Sequence, residues 1–158
     1  MSIRSPFNGL RIPQAVVCEF FGVFSRFEFA LKESHFLIPG KILAEPDWRR
    51  FGREAGRWLV VPPRSDLEGA IAYLNDYAPL VQTREDGWQS KALHGDMAVA
   101  RALDAACRVR HNLFHGGKHS PHSPDGRDEK LVRCALAVLM ACLEQNEDLR
   151  AIFEQTEF

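Results

Sequence analysis

The stretch Val16-Val17-Cys18-Glu19-Phe20-Phe21-Gly22-Val23-Phe24-Ser25-Arg26-Phe27-Glu28-Phe29-Ala30-Leu31 decides the architecture. Val17, Phe20, Phe24, Phe27 and Leu31 are spaced 3, 4, 3 and 4 residues apart, which is one stripe of an α-helix. The pattern runs from Ile12 to Phe36, and six of the eleven phenylalanines lie between Phe20 and Phe36. Rings of that size dominate core energetics, so this helix is expected to anchor the fold. Pro39-Gly40 ends it.

The same period recurs outward from there. Asp47 can cap a second helix that carries Trp48, Phe51, Ala55, Trp58 and Leu59 on one side and stops at Pro62-Pro63. Ser65 followed by Glu68 fits a capping box, and Leu67, Ile71, Leu74 and Ala78 continue at helical spacing up to Pro79. Val81 to Gly95 has no clear period and reads as a connection without strands, with room for a short turn of helix. A long helix is expected from about Asp96 to His115, ended by Gly116-Gly117. Another starts near Asp125 to Asp128 and runs towards Phe153; its Cys134–Leu143 part is apolar all round, as a central bundle helix would be. The expected fold is therefore an all-α bundle of four to five helices, one domain over 1–158, with 116–126 as a mobile loop.

Composition narrows the classes. The chain has 158 residues, 46% hydrophobic and 26% charged, which fits a globular domain with a sizeable core and excludes a disordered or fibrous chain. Its longest nearly continuous apolar run, Cys134 to Leu143, is about half of a membrane-spanning length, and Met1 to Pro6 offers no apolar signal segment. Cys18, Cys107, Cys134 and Cys142 sit singly within apolar stretches and read as core thiols of a reducing cytoplasm. A net charge of −1 leaves no whole-molecule field for nucleic acid, so RNA binding would need a local patch. Between Arg101 and Arg133, seven Lys and Arg face four Asp and Glu, whereas the tail from Glu144 is acidic.

The segment with chemical content is Arg108-Val109-Arg110-His111-Asn112-Leu113-Phe114-His115-Gly116-Gly117-Lys118. One helical stripe reads Val99, Leu103, Ala106, Arg110, Leu113, which puts a guanidinium where an apolar side chain would fit. A buried arginine is costly unless an acid, a phosphate or an interface meets it. The alternative stripe, Ala102, Ala105, Val109 and Leu113, leaves Arg110 at a solvated edge. His115 falls in the last turn, where the helix dipole favours the imidazolium form, and imidazole is the side chain suited to proton transfer near neutral pH. Five residues separate the two, about 140° of rotation, so they converge only at a distorted helix end or across a two-fold axis.

This run, Arg110 with polar His111 and then Leu113-Phe114-His115-Gly116-Gly117-Lys118, resembles the RX4–6H motif of HEPN domains (higher eukaryotes and prokaryotes nucleotide-binding). The aromatic helix around Ser25-Arg26-Phe27-Glu28-Phe29-Ala30-Leu31-Lys32 and the Asp47-Trp48 start are similar to those of some bacterial HEPN proteins. The resemblance implies a HEPN-like bundle with the motif late in the penultimate long helix. It also implies a metal-independent endoribonuclease that works as a homodimer, with its active site at the dimer interface and no cofactor. In that chemistry the RNA 2′-OH attacks the adjacent phosphorus and leaves 2′,3′-cyclic phosphate and 5′-OH ends. His115 would serve as general base or acid and Arg110 would hold the phosphate, with His111 and Asn112 in support. Arg108, Lys118 and Arg127 are candidate RNA contacts. A toxin–antitoxin or antiviral defence role, with an antitoxin or regulatory partner, follows from the resemblance alone. Where some HEPN toxins carry a tyrosine two residues after the motif histidine, this chain has Gly117, so modification at that position is not expected.

Other classes fit less well. His111, His115, His119 and His122 are spaced 4, 4 and 3, yet no HExxH or nearby thiolate completes a zinc set, and no metal is expected. Phe20, Phe24, Phe27, Trp48 and Trp58 lie on helical stripes and read as core rather than base-stacking platforms. Cys107 reads as packing, since no activating neighbour is evident. The alternative function is a catalytically inert HEPN-type module that binds a nucleotide or a protein partner.

Overall fold

The computed structural model describes Ile3, Ser5 and residues 7–114 and 124–155. Six helices appear among them: α1 (Gln14–Glu33), α2 (Trp48–Trp58), α3 (Asp66–Asp76), α4 (Ala98–Phe114), α5 (Arg127–Gln145) and α6 (Glu147–Glu154). The stripe of α1 is buried as its spacing requires: Val17, Phe20, Phe24, Phe27 and Leu31 are all 2% exposed or less. The Trp48 ring stacks on Phe24 and Phe27 at 5.0 and 5.3 Å, and Phe51 meets Phe27 edge-on at 5.4 Å. Each such pair adds about 0.5–1.5 kcal/mol beyond its buried area.

The capping oxygens read at the starts of α2 and α3 are in place, the box at α3 only in part. The Asp47 carboxylate accepts the Arg50 N–H at 3.0 Å, and the Ser65 hydroxyl accepts that of Glu68 at 3.1 Å. The Glu68 carboxylate reaches back to the N–H of Arg64, one residue before the cap, where a capping box would place it on Ser65. α5 lies at the centre, packed against α1, α3, α4 and α6, and α2 lies on α4. The two close so tightly that a Cβ on Gly52 would sit 3.4 Å from the Ala100 Cα. Among the described residues no helix is long and apolar enough to cross a membrane.

Three expectations are corrected. The segment after Pro79 contains a hairpin, β1 (Val81–Thr83) paired antiparallel to β2 (Gly87–Gln89), so the chain is mostly helical rather than purely so. Three-residue strands are too short to display a period, and the turn signal was Asp86-Gly87, with Gly87 at φ 68°. The final helix is two helices. Asn146 interrupts it, and its side chain accepts the Leu149 N–H at 2.9 Å as the cap of α6, whose first turn holds Glu147 and Asp148. The described residues thus hold six helices, not four to five. Cys18 is exposed, not a core thiol; it follows Val17 by one residue, about 100° off the buried stripe. Cys134 and Cys142 are buried as expected.

Candidate active site

α4 buries Val99, Ala102, Leu103, Ala105, Ala106, Val109 and Asn112, members of both stripes, and Arg110 stands half-buried at the edge of that face. The guanidinium lies over two aromatic rings, 5.1 Å from the centroid of Phe114 and 5.7 Å from that of Phe24. No carboxylate among the described residues pairs with it. With Phe21, Ser25 and Glu28 these groups line a cleft of about 280 Å³ between α1 and α4. Phe21 meets Phe114 edge-on at 6.2 Å, and Phe114 is 64% exposed, so the mouth of the cleft is aromatic. Glu28, the acid on the wall, accepts the indole N–H of Trp48 at 3.1 Å. One carboxylate oxygen is taken by that bond, and Glu28 forms no ion pair with Arg110, so the guanidinium's donors are not spent on it.

One turn back on α4, burial and then the Asp104 and Glu28 carboxylates push the Cys107 thiol well above its ordinary range, with Arg110 acting the other way. A thiol held protonated is a packing group, not a nucleophile.

The other candidates separate by contact. Asn112 turns inward: it is 4% exposed, and its side-chain amide donates to the Leu80 carbonyl at 2.8 Å, tying α4 to the segment that leads into β1. Two residues apart is about 200° on a helix, so Arg110 and Asn112 face opposite sides. His111 is exposed. Arg108 pairs with Asp104 at 3.0 Å and donates to the carbonyls of Lys91 and Ala92, which latches the 91–96 segment onto α4. Arg127 donates to the Tyr77 and Ala78 carbonyls beyond the end of α3. Both arginines therefore spend donors on the fold, and a role for either in RNA contact would have to use what remains. His115, Lys118, His119 and His122 lie outside the described residues, as does 116–123 of the loop; Asp125, near its end, pairs with Arg11. No group of three metal-ligating side chains occurs among the described residues.

Sequence reasoning missed the aromatic seat of Arg110. The signal available was Phe114, four residues on along the same helix face, which an arginine at i−4 can cover. Comparison with protein-family models, with curated proteins and with solved structures finds no match.

Proposed function

We propose that this protein is a HEPN-type, metal-independent endoribonuclease whose catalytic pair is Arg110 and His115. The observation that carries the reading is the state of Arg110: a half-buried guanidinium at the end of a motif helix, seated on two rings and without a carboxylate partner among the described residues. Such a group is held in place yet keeps its donors for a ligand. A phosphodiester oxygen pair matches the planar fork bidentately, and the same contact strengthens as charge builds on the pentacoordinate phosphorus.

The chemistry then needs a proton acceptor for the 2′-OH and a donor for the departing 5′-oxygen. His115, five residues on, supplies one of these roles, and the histidine of a second copy supplies the other when two α4 ends meet across a two-fold axis. The exposed Phe114 beside Arg110 suits such a meeting face. Arg110 would neutralise one phosphate oxygen while the O2′–P bond forms and the P–O5′ bond breaks, leaving the cyclic phosphate and a 5′-OH.

The test is cleavage of a single-stranded RNA in the presence of EDTA, with the product ends mapped. Activity that survives chelation and leaves cyclic-phosphate ends supports the reading. Activity abolished by EDTA, or 5′-phosphate products, refutes it.

A further inference from the structure

A second cleft has Trp48 in its lining. Its walls are the first turns of α2, the 94–96 segment and the start of α4, and it encloses about 250 Å³. Gly52 and Ala100 form its floor at the closest approach of the two helices, and Gly95, at φ 117°, turns the chain past Ala100 where a Cβ would come within 2.6 Å of the alanine methyl. Small residues at the bottom leave the space open.

The charges around it are uneven. α2 carries Arg49, Arg50, Arg53 and Arg57. Arg50 pairs with Glu54 at 3.2 Å, but Arg49 and Arg53, one turn apart on the same face, both line the cleft and have no carboxylate partner among the described residues. Placing two like charges at i and i+4 destabilises a bare helix. Of the two acids in the lining, Asp104 is neutralised by Arg108 and also accepts the His94 N–H at 3.2 Å. That leaves Asp96 alone against two guanidiniums. Arg49 donates to His94 Nε2 at 3.2 Å, so that nitrogen acts as an acceptor and the ring is held in place against the arginine. The wall opposite α2 is therefore fixed before any ligand arrives, through Asp104, Arg108 and the carbonyls of Lys91 and Ala92.

We propose that this cleft is an anion site, distinct from the Arg110 cleft, that takes a phosphate group between Arg49 and Arg53. The phosphate belongs either to a small phosphate ester or to the backbone of a single-stranded RNA. Neither source depends on the ribonuclease reading, because binding is measured without cleavage.

The experiment is an amide-resonance titration of the full chain with inorganic phosphate and, separately, with a 2′-O-methyl hexanucleotide that lacks terminal phosphates. Phosphate should shift the amides of Arg49, Gly52, His94 and Gly95 saturably. Arg49→Gln with Arg53→Gln should weaken that binding by at least about tenfold, while Arg57→Gln, on the same helix but outside the cleft, should leave it within about twofold. Both lining arginines are exposed, so the double variant should melt with the wild type. If the hexanucleotide shifts the same amides, the site takes a strand; if only phosphate does, it takes a free ester. Linear, unsaturable shifts would overturn the proposal, as would equal losses in the double variant and in Arg57→Gln.

Discussion

Asn112 and Arg110 stand two residues apart in the same motif, and the structure gives them opposite sensitivities. Replacing Asn112 with alanine removes a donor that is 4% exposed and 2.8 Å from the Leu80 carbonyl, and leaves space where the amide was. Losing a buried hydrogen bond of this kind costs about 1–3 kcal/mol. A chain of 158 residues has an unfolding entropy of about 0.33 kcal/mol/K, so each kcal/mol moves the midpoint by about 3 °C. Asn112→Ala should therefore melt about 3–9 °C below the wild type in differential scanning calorimetry. Arg110→Ala gives up only the seat of a half-exposed guanidinium on Phe24 and Phe114, worth less than about 1 kcal/mol, and should melt within about 3 °C. Asn112→Ala melting with the wild type would refute the inward role assigned to Asn112. Arg110→Ala melting as low as Asn112→Ala would refute the view of Arg110 as a group reserved for a ligand.

Further predictions rest on separate features. Phe27→Ala removes a fully buried ring that contacts both Trp48 and Phe51, and should cost about 3–5 kcal/mol in urea unfolding; a loss under about 1 kcal/mol would contradict the packing described. Burial raises the thiols of Cys107, Cys134 and Cys142, the last to about 12, so at about pH 8 these three stay protonated. Native protein should then alkylate fast only at exposed Cys18, the other three reacting after unfolding, as read by peptide mass spectrometry; equal rates at all four would count against the structure. Arg108→Ala cuts the latch on the 91–96 segment and should speed amide hydrogen exchange at residues 91–95 while leaving α5 unchanged. Exchange at 91–95 equal to that of the wild type would show that the latch holds nothing.

What could be read in the sequence and what could not divides along physical lines. The α1 stripe was legible because five large side chains repeat over four turns, and the starts of α2 and α3 because a capping oxygen precedes each. The hairpin at 81–89 was hidden because three residues carry no period, and the break before α6 because a single residue, Asn146, separates two helices. The cap-and-acid signature Asn146-Glu147-Asp148 was there to be read. Arg110 was visible as an anomaly in a stripe, but its seat depends on Phe24, distant in sequence on α1. Arg108 and Arg127 read as candidate RNA contacts, since donors to backbone carbonyls of remote segments leave no trace in local pattern. The Arg49–Arg53 cleft was invisible for the same reason, its walls coming from three separate stretches of chain.

The claim at the centre is that Arg110 and His115 together cleave RNA without metal. The most direct measurement is the single-turnover rate on one RNA substrate, with EDTA present, for wild type, Arg110→Ala, Arg110→Lys and His115→Ala, each shown by calorimetry to be folded. A positioned general acid or base contributes about 10²–10⁴-fold, so each alanine variant should lose at least about 10²-fold. Lysine should not restore the rate at position 110, because a point charge lacks the planar fork. Wild-type cleavage with all three variants within about twofold of it would contradict the account, as would a wild type that leaves RNA intact.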